Sequence, residues 1–282
     1  MVQGSMQNHL ASSKHCGVGL RAPHYAEILQ HKPSLGLLEV HSENFFDTGG
    51  LSRAYLAALR ADYAVSTHGV GLSLGGTDPL DVAHLRKLRA LVDWLEPAII
   101  SEHLCWVGVD GRFSNDLLPL PYTEDAIAHV VDRINAVQDY LAQPILIENL
   151  SSYVAFDAST MPEWEFVNVV AARSGCKILL DLNNIFVSEK NHGYAEEAYI
   201  SGISSHFVGQ MHLAGHTVTE SMLIDTHSAP VCDGVWSLFA KAVARFGAQP
   251  TIVEWDSEIP VWSVLHAEAL RATRVMVAGA SS

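Results

Sequence analysis

The chain has 282 residues, 49% of them hydrophobic and 17% charged, which is too apolar for a disordered segment and enough to bury a sizeable core. Its 17 Lys and Arg stand against 31 Asp and Glu, a formal charge of −14, and no Lys/Arg-rich run breaks that balance, so no nucleic-acid partner is expected. No apolar run reaches ~18 residues and the opening residues lack a signal-peptide pattern, so no membrane partner is expected and the predicted location is the cytoplasm.

Eight short apolar runs alternate with stretches of helical period, the pattern of βα units around a parallel sheet. In chain order they are CGVGL (16–20), LGLLEV (35–40), YAVSTH (63–68), PAIISEH (97–103), PILIEN (144–149), KILLDLN (177–183), HFVGQMH (206–212) and TIVEW (251–255). The 23–31 stretch after the first run is short. Asp78-Pro79 is read as N-cap and first turn of a helix over DVAHLRKLRALVDWL (81–95), and Thr160 with Glu163 as a capping box before WEFVNVVAARSG (164–175). The 184–205 stretch mixes loop with a helix containing AEEAYISGI, and Gly247 stops the helix over VWSLFAKAVARF (235–246). Eight strands close a barrel, so the predicted fold is α/β, a single (β/α)8 TIM barrel. Residues 1–15 are expected to be a flexible N-terminal segment and 16–275 the catalytic domain.

Nearly every run ends in a side chain able to bind a metal or a proton: His41 with Glu43, His68, His103, Glu148, Asp181 with Asn183, His212, Glu254. In a TIM barrel the carboxyl ends of all strands meet at one mouth, so residues far apart in sequence become neighbours. Any one such residue is ordinarily a hydrogen-bonding or capping group. Several buried together are costly unless a cation or fixed proton pairing compensates them. The 15 histidines fit that reading, because imidazole is the commonest transition-metal ligand. Imidazole, carboxylate and carboxamide without thiolate suit iron, manganese or zinc. Glu148 and Asp181, on consecutive strands, are candidates to bridge ions. Asp225 and His227 lie on a loop beyond the seventh strand and point inward together if that loop is extended.

Other features carry less. The four cysteines, Cys16, Cys105, Cys176 and Cys232, lie far apart without a CxxC, which predicts reduced, mostly buried thiols. HGVGLSLGG (68–76) lacks the P-loop Lys-Ser/Thr and the GxGxxG spacing, so its glycines are read as letting backbone pass close to a ligand. Trp106, Phe113, Tyr122, Trp255 and Trp262 are read mainly as packing residues, with a substrate groove as the other reading.

The strings GVGLRAPHYAEIL (17–29), LLEVHSENFF (37–46), STHGVGLSLGG (66–76), SEHLCW (101–106), ILIENLSSY (145–153), LLDLNNIFVSE (179–189), QMHLAGH (210–216), IDTH (224–227) and VEWD (253–256) resemble the multinuclear non-haem iron-dependent oxidative enzymes. That family includes the iron subunit that makes methanobactin. The resemblance runs in order over residues 16–266. It implies a xylose-isomerase-like barrel with two or three irons, mixed Fe(II)/Fe(III), at the mouth. It places metal ligands at His68, His103, Glu148, Asp181, Asn183, His212, Asp225, His227 and Glu254, with Glu148, Asp181 and His212 as catalytic positions. His216 is implied as an outer residue or substrate contact, and Glu43 and Asn44 as groups that orient ligands.

The resemblance further implies dioxygen as co-substrate and a Cys-containing, ribosomally synthesised precursor peptide as substrate, its thiolate held by a ferric ion beside a ferrous one. No appended recognition domain is visible in the sequence, so a separate leader-recognition partner protein is implied. The competing reading on the same barrel is a divalent-metal-dependent hydrolase or isomerase, because fold does not decide chemistry. A non-catalytic metal-binding or chaperone-like subunit is the third reading.

Overall fold

The computed structural model describes residues 16–279; the segment 1–15, expected to be flexible, lies outside the described residues. Each of the eight apolar runs forms a strand: β1 (Gly17–Gly19), β2 (Leu38–His41), β3 (Val65–Gly69), β4 (Ile99–His103), β5 (Leu146–Glu148), β6 (Lys177–Asp181), β7 (Val208–Leu213) and β8 (Thr251–Val253). Each pairs in parallel with its neighbour in the chain, and β1 closes on β8, so the sheet is the expected (β/α)8 barrel. The strands are short and almost wholly buried, as strands covered on both faces must be.

The helices around it are α1 (Tyr25–His31), α2 (Leu51–Leu59), α3 (Val82–Leu95), α4 (Glu124–Leu141), α5 (Glu163–Ser174), α6 (Leu182–His192), α7 (Glu196–Gly202), α8 (Asp233–Phe246) and α9 (Trp262–Gly279). They bury one stripe each. In α8 the stripe is Val235, Trp236, Leu238, Phe239, Ala242, Val243 and Phe246. Gly247 ends α8 as expected, at φ 76° and ψ −178°, a conformation open essentially to glycine alone.

Several boundaries differ from the sequence reading. Asp81, not Asp78, caps α3, its carboxylate accepting from Ala83 N at 2.7 Å and His84 N at 3.2 Å. The Asp78 carboxylate instead holds the backbone amides of Asp110 and Gly111. Thr160 does not cap α5, whose N-cap position is Pro162; Glu163 faces Tyr122, Tyr199 and the backbone amide of Leu150 rather than the start of its own helix. The sixth strand stops at Asp181 rather than running to 183, because its carboxylate caps α6 at once, accepting from Asn184 N at 2.6 Å. The expected loop after residue 184 is therefore helix.

Two elements beyond the βα repeat rise over the mouth. The strands Trp106–Val109 and Arg112–Leu118 form a hairpin about Asp110 and Gly111, both at positive φ, the Asp-Gly turn that matches the twist of the flanking strands. A smaller ladder joins Thr217–Val218 to Leu223–Ile224. No helix among the described residues is long and apolar enough to cross a membrane.

Register sets the site. Across neighbouring strands His41 pairs with His68, His103 with Glu148, and Asp181 with His212, so imidazoles and carboxylates stand side by side at the mouth. Because side chains alternate along a strand, residues two positions earlier also point inward. On β2, β3, β4 and β7 these are Glu39, Ser66, Ser101 and Gln210, all at most 2% exposed, and on β5 and β6 they are Leu146 and Leu179.

Candidate metal centre

That inward layer forms a polar floor, and it decides which nitrogen each imidazole offers. The register places Ser101 beside His68, and the Ser101 hydroxyl, which donates to Thr67 O at 3.3 Å, accepts from His68 Nδ1 at 2.8 Å. His103 Nδ1 lies 2.9 Å from the carbonyl of Gly69, which can only accept. Nε2 of both rings is left as a lone pair turned to the mouth.

Glu39 fixes His212 from across the barrel. Its Oε1 stands 2.8 Å from His212 Nε2, while its Oε2 accepts from Ser66 Oγ at 2.8 Å and Gln210 Nε2 at 2.6 Å. Gln210 Nε2 also approaches His212 Nε2 at 3.4 Å, but the shorter carboxylate contact governs and keeps the proton on that nitrogen. His227 Nδ1 likewise faces Asp256 Oδ2 at 3.3 Å, and Asp256 is itself held by Arg21 Nε at 2.9 Å. A carboxylate behind a histidine that turns its other nitrogen inward is the usual support of a metal-binding imidazole.

The inward nitrogens meet carboxylates. His68 Nε2 and His103 Nε2 lie 2.9 and 3.4 Å from Glu148 Oε2, His212 Nδ1 lies 3.0 Å from Glu254 Oε2, and His227 Nε2 lies 2.8 Å from Asp225 Oδ1. His212 Nδ1 is also 3.9 Å from Asp181 Oδ2 and 4.0 Å from Glu148 Oε1. Glu148 thus belongs to two groups, one with His68 and His103 and one with Asp181 and His212. Asp225, Thr226, His227 and Glu254 line a pocket of about 480 Å³ at the mouth, walled on the other side by Ser114–Leu117 of the hairpin.

The electrostatics are those of crowded, dry charges. Burial pushes the Glu148 carboxyl up to about 7 and Asp181 well above the usual carboxylate range, Asp181 also feeling Glu148 and Asp225. Burial lowers His68 and His103. It would lower His212 and His227 too, but Glu254 and Glu39 beside the first, and Asp225 and Asp256 beside the second, raise both well above the ordinary imidazole value. Burial would raise Glu254, yet His212 and His227 hold it well below normal.

These residues fit a metal. Glu148 Oε2, Asp181 Oδ2, His212 Nδ1 and His227 Nε2 are buried without a hydrogen bond, although their neighbours lie within 4 Å. Lone pairs facing one another at 2.8–3.4 Å repel unless a proton or cation lies between them. Ligands about 2.1 Å from a common ion stand roughly 3 Å apart, the same spacing. The donor set is imidazole nitrogen and carboxylate oxygen.

The nine expected ligand positions are not equivalent in the structure. His68, His103, Glu148, Asp181, His212 and Glu254 turn ligating atoms to one another, while His227 lies beside them, its Nδ1 3.6 Å from Glu254 Oε2 and its Nε2 2.8 Å from Asp225 Oδ1. Asn183 stands aside: its amide donates to Asp225 Oδ1 at 2.7 Å and its oxygen accepts from His216 Nδ1 at 2.8 Å. His216 also packs on Phe186, an outer position. Of the two carboxylates expected to bridge, each keeps one oxygen free, because Asn184 takes the other: its side-chain amide donates to Glu148 Oε1 at 3.2 Å and its backbone N to Asp181 Oδ1 at 2.6 Å. The loop carrying Asp225 and His227 is not extended, since His227 adopts a left-handed φ of 46°, held where its carbonyl accepts from Asp256 N at 2.8 Å. Glu43 accepts from Val70 N and faces His84 at 3.5 Å.

The glycines of 68–76 leave room for neighbouring side chains. A Cβ at Gly69 would stand 2.2 Å from Glu102 Oε2, and one at Gly75 2.4 Å from Leu120. Sequence reading missed Glu39, Gln210 and Ser101, and it did not weigh Asp256 or Arg21.

Comparison with known proteins places the fold and the chain. Solved structures with the same architecture include D-psicose 3-epimerase from Clostridium cellulolyticum, at 15% identity and TM-score 0.56 over 95% of this chain and 97% of that one. Endonuclease IV from Thermus thermophilus matches at 14% identity and TM-score 0.62 over 94% and 99%. At that identity they share the xylose-isomerase-like TIM barrel with this chain. Much nearer are a UPF0276 protein of Anaeromyxobacter sp., 49% identical over 262 residues covering 93% of each chain, and one of Paraburkholderia phytofirmans, 46% identical over 264 residues covering 92% of this chain and 86% of the relative. Residues 15–277 match the family described as "RiPP precursor modification enzyme MbnB/TglH/ChrH". The match spans all eight strands and the mouth they build, and on it the chain belongs to that enzyme family, the multinuclear non-haem iron-dependent oxidative enzymes its motifs resemble.

Proposed function

We propose that this chain is an iron- and dioxygen-dependent oxidase or oxygenase that modifies cysteine in a ribosomally synthesised precursor peptide. One observation carries the reading: the unpartnered atoms of Glu148, Asp181 and His212 lie against His68, His103 and Glu254, which with His227 line an open pocket, in a chain whose family modifies such precursors. His68, His103, Glu148, Asp181, His212, Asp225, His227 and Glu254 would hold two or three irons, with Asn183 orienting Asp225 beside them. Bound there, mixed Fe(II)/Fe(III) supplies Lewis acidity toward the substrate thiol and redox reactivity toward dioxygen.

The protein's own part is to fix and enclose. Ser101, the Gly69 carbonyl, Glu39 and Asp256 hold the tautomers of His68, His103, His212 and His227, so each ring keeps one nitrogen for the centre. The hairpin residues Ser114–Leu117 and the loop residues Leu150, Ser151 and Tyr153 form the sides of the pocket. Ser114, Asn115, Ser151 and Tyr153 offer hydrogen bonds to a peptide threading past. The chain's charge of −14 favours a basic leader or partner, and a separate leader-recognition protein in the cytoplasm would deliver the peptide.

Coexpression with a small Cys-containing peptide encoded beside the chain's own gene, followed by mass spectrometry of the peptide and elemental analysis of the protein, tests the reading. A mass change that requires iron and air supports it. An unchanged peptide refutes it, and a change equally fast without dioxygen points to a hydrolase or isomerase. Tight leader binding by the isolated chain would remove the need for a partner.

A further inference from the structure

A second group of unpartnered side chains lies outside the barrel wall. His103 faces the mouth, so Glu102, next to it on β4, points to the opposite face. There it lies against Gly69 of β3, its register partner, and near the turn Ser42–Phe45 and the first turn of α3. Glu43 from that turn and His84 from α3 bring one ligating atom each to within 4.8 Å of one another and of Glu102.

Three polar atoms in this group lack a hydrogen bond: Glu43 Oε2, His84 Nε2 and Glu102 Oε2. Glu102 is only 2% exposed, and its other oxygen is already occupied by His103 N at 3.2 Å. A fully buried carboxylate oxygen with no donor is expensive to leave alone. His84 Nε2 stands 3.5 Å from Glu43 Oε1, close to the edge of a tetrahedral site with bonds of about 2.0 Å. Phe46 packs its edge against the His84 ring and fixes its plane. Glycine at 69 and 71 keeps the space open, since a Cβ would reach 2.2 Å from Glu102 Oε2 at the first and 2.6 Å from His84 Cε1 at the second.

We propose that Glu43, His84 and Glu102 form a second divalent-cation site, separate from the mouth, that takes a first-row ion such as zinc. Two carboxylates and a neutral imidazole are balanced by one M²⁺, which would partner Glu102 Oε2 and His84 Nε2 together with a Glu43 oxygen. The ion braces rather than reacts. It ties the Ser42–Phe45 turn and α3 to the strand ends that carry His68 and His103.

The test counts zinc in the full chain. Protein whose mouth has first been saturated with ferrous iron is equilibrated anaerobically with increasing Zn²⁺, washed, and analysed for both metals, alongside His84→Ala and Glu43→Gln. Wild type is expected to hold one zinc more than either variant with iron content equal in all three, the variants' zinc affinity falling more than about tenfold, and to gain thermal stability on zinc addition that the variants do not. Undiminished zinc in both variants, no zinc bound by wild type, or zinc bound only in exchange for iron overturns the proposal. If His84→Ala does not fold, the Glu43→Gln comparison decides alone, because that substitution keeps size and the Val70 contact.

Discussion

Glu39 makes a demanding test of the metal centre because it touches no expected ligand site other than His212. Glu39→Gln preserves volume in a fully buried position, so no cavity opens. It removes the charge 2.8 Å from His212 Nε2, and the carboxamide cannot satisfy its three neighbours at once. If its oxygen accepts from His212, its NH₂ confronts the Gln210 amide donor now 2.6 Å from Oε2. Losing the carboxylate behind a ligating histidine typically lowers metal affinity about 10–100-fold, or about 1.4–2.7 kcal/mol. Iron affinity measured by equilibrium dialysis and elemental analysis should fall by that factor, with the far-UV circular dichroism of the barrel unchanged. An affinity within about twofold of wild type would show that Glu39 does not support a ligand and that His212 does not hold iron through Nδ1.

Asp181→Ala is expected to lose iron and peptide modification while the barrel stays folded, weakened by about 1 kcal/mol through loss of the α6 cap; full turnover with fewer irons would contradict its role. Glu163, whose carboxyl burial lifts from 4.5 to about 7, keeps its proton in the folded state while the unfolded chain has released it. Stability should therefore fall as pH rises through that window, by on the order of 3 kcal/mol, and then level off. Glu163→Gln should flatten that slope in urea midpoints taken on either side of the window, and an unaltered slope would refute the assignment. Leu180→Ala, fully buried on the helix-facing side of β6, should cost about 2–5 kcal/mol in denaturant unfolding. A loss below about 1 kcal/mol would mean the site collapses around the missing atoms.

The barrel was legible because eight buried strands need eight apolar runs, and nothing else in the chain has that rhythm. Cap positions were not, since Asp78 and Asp81 are chemically alike and only the Asp110–Gly111 turn decides which is free to cap α3. Thr160 and Glu163 have capping-box spacing, but the Glu163 carboxylate is drawn instead toward Tyr122, Tyr199 and the Leu150 amide. Asp181 hid the start of α6 because one residue both ends a strand and caps a helix, so the apolar run read through it. The Asp-Gly signal of the hairpin was present in the sequence, but its flanks are largely exposed and lack the alternation that marks a half-buried strand.

The candidate site was half legible, and the missing half follows from the same period. Strand-end chemistry singles out the upper layer, and the positions two residues before His41, His68, His103 and His212 are Glu39, Ser66, Ser101 and Gln210. The strings E-V-H, S-T-H, S-E-H and Q-M-H thus carry both layers. A polar residue two positions below an imidazole inside a barrel is buried by construction, so it must bond to something, and the nearest groups are the rings above and beside it. What the strings do not contain is the partner assignment. Ser101 serves His68 rather than the His103 of its own strand, because the offset between β3 and β4 sets it beside the neighbour's ring. Glu39 crosses the barrel to His212. Which nitrogen each histidine presents at the mouth is therefore fixed by strand register and closure, and this is why a list of ligand candidates read from sequence could name the rings but not orient them.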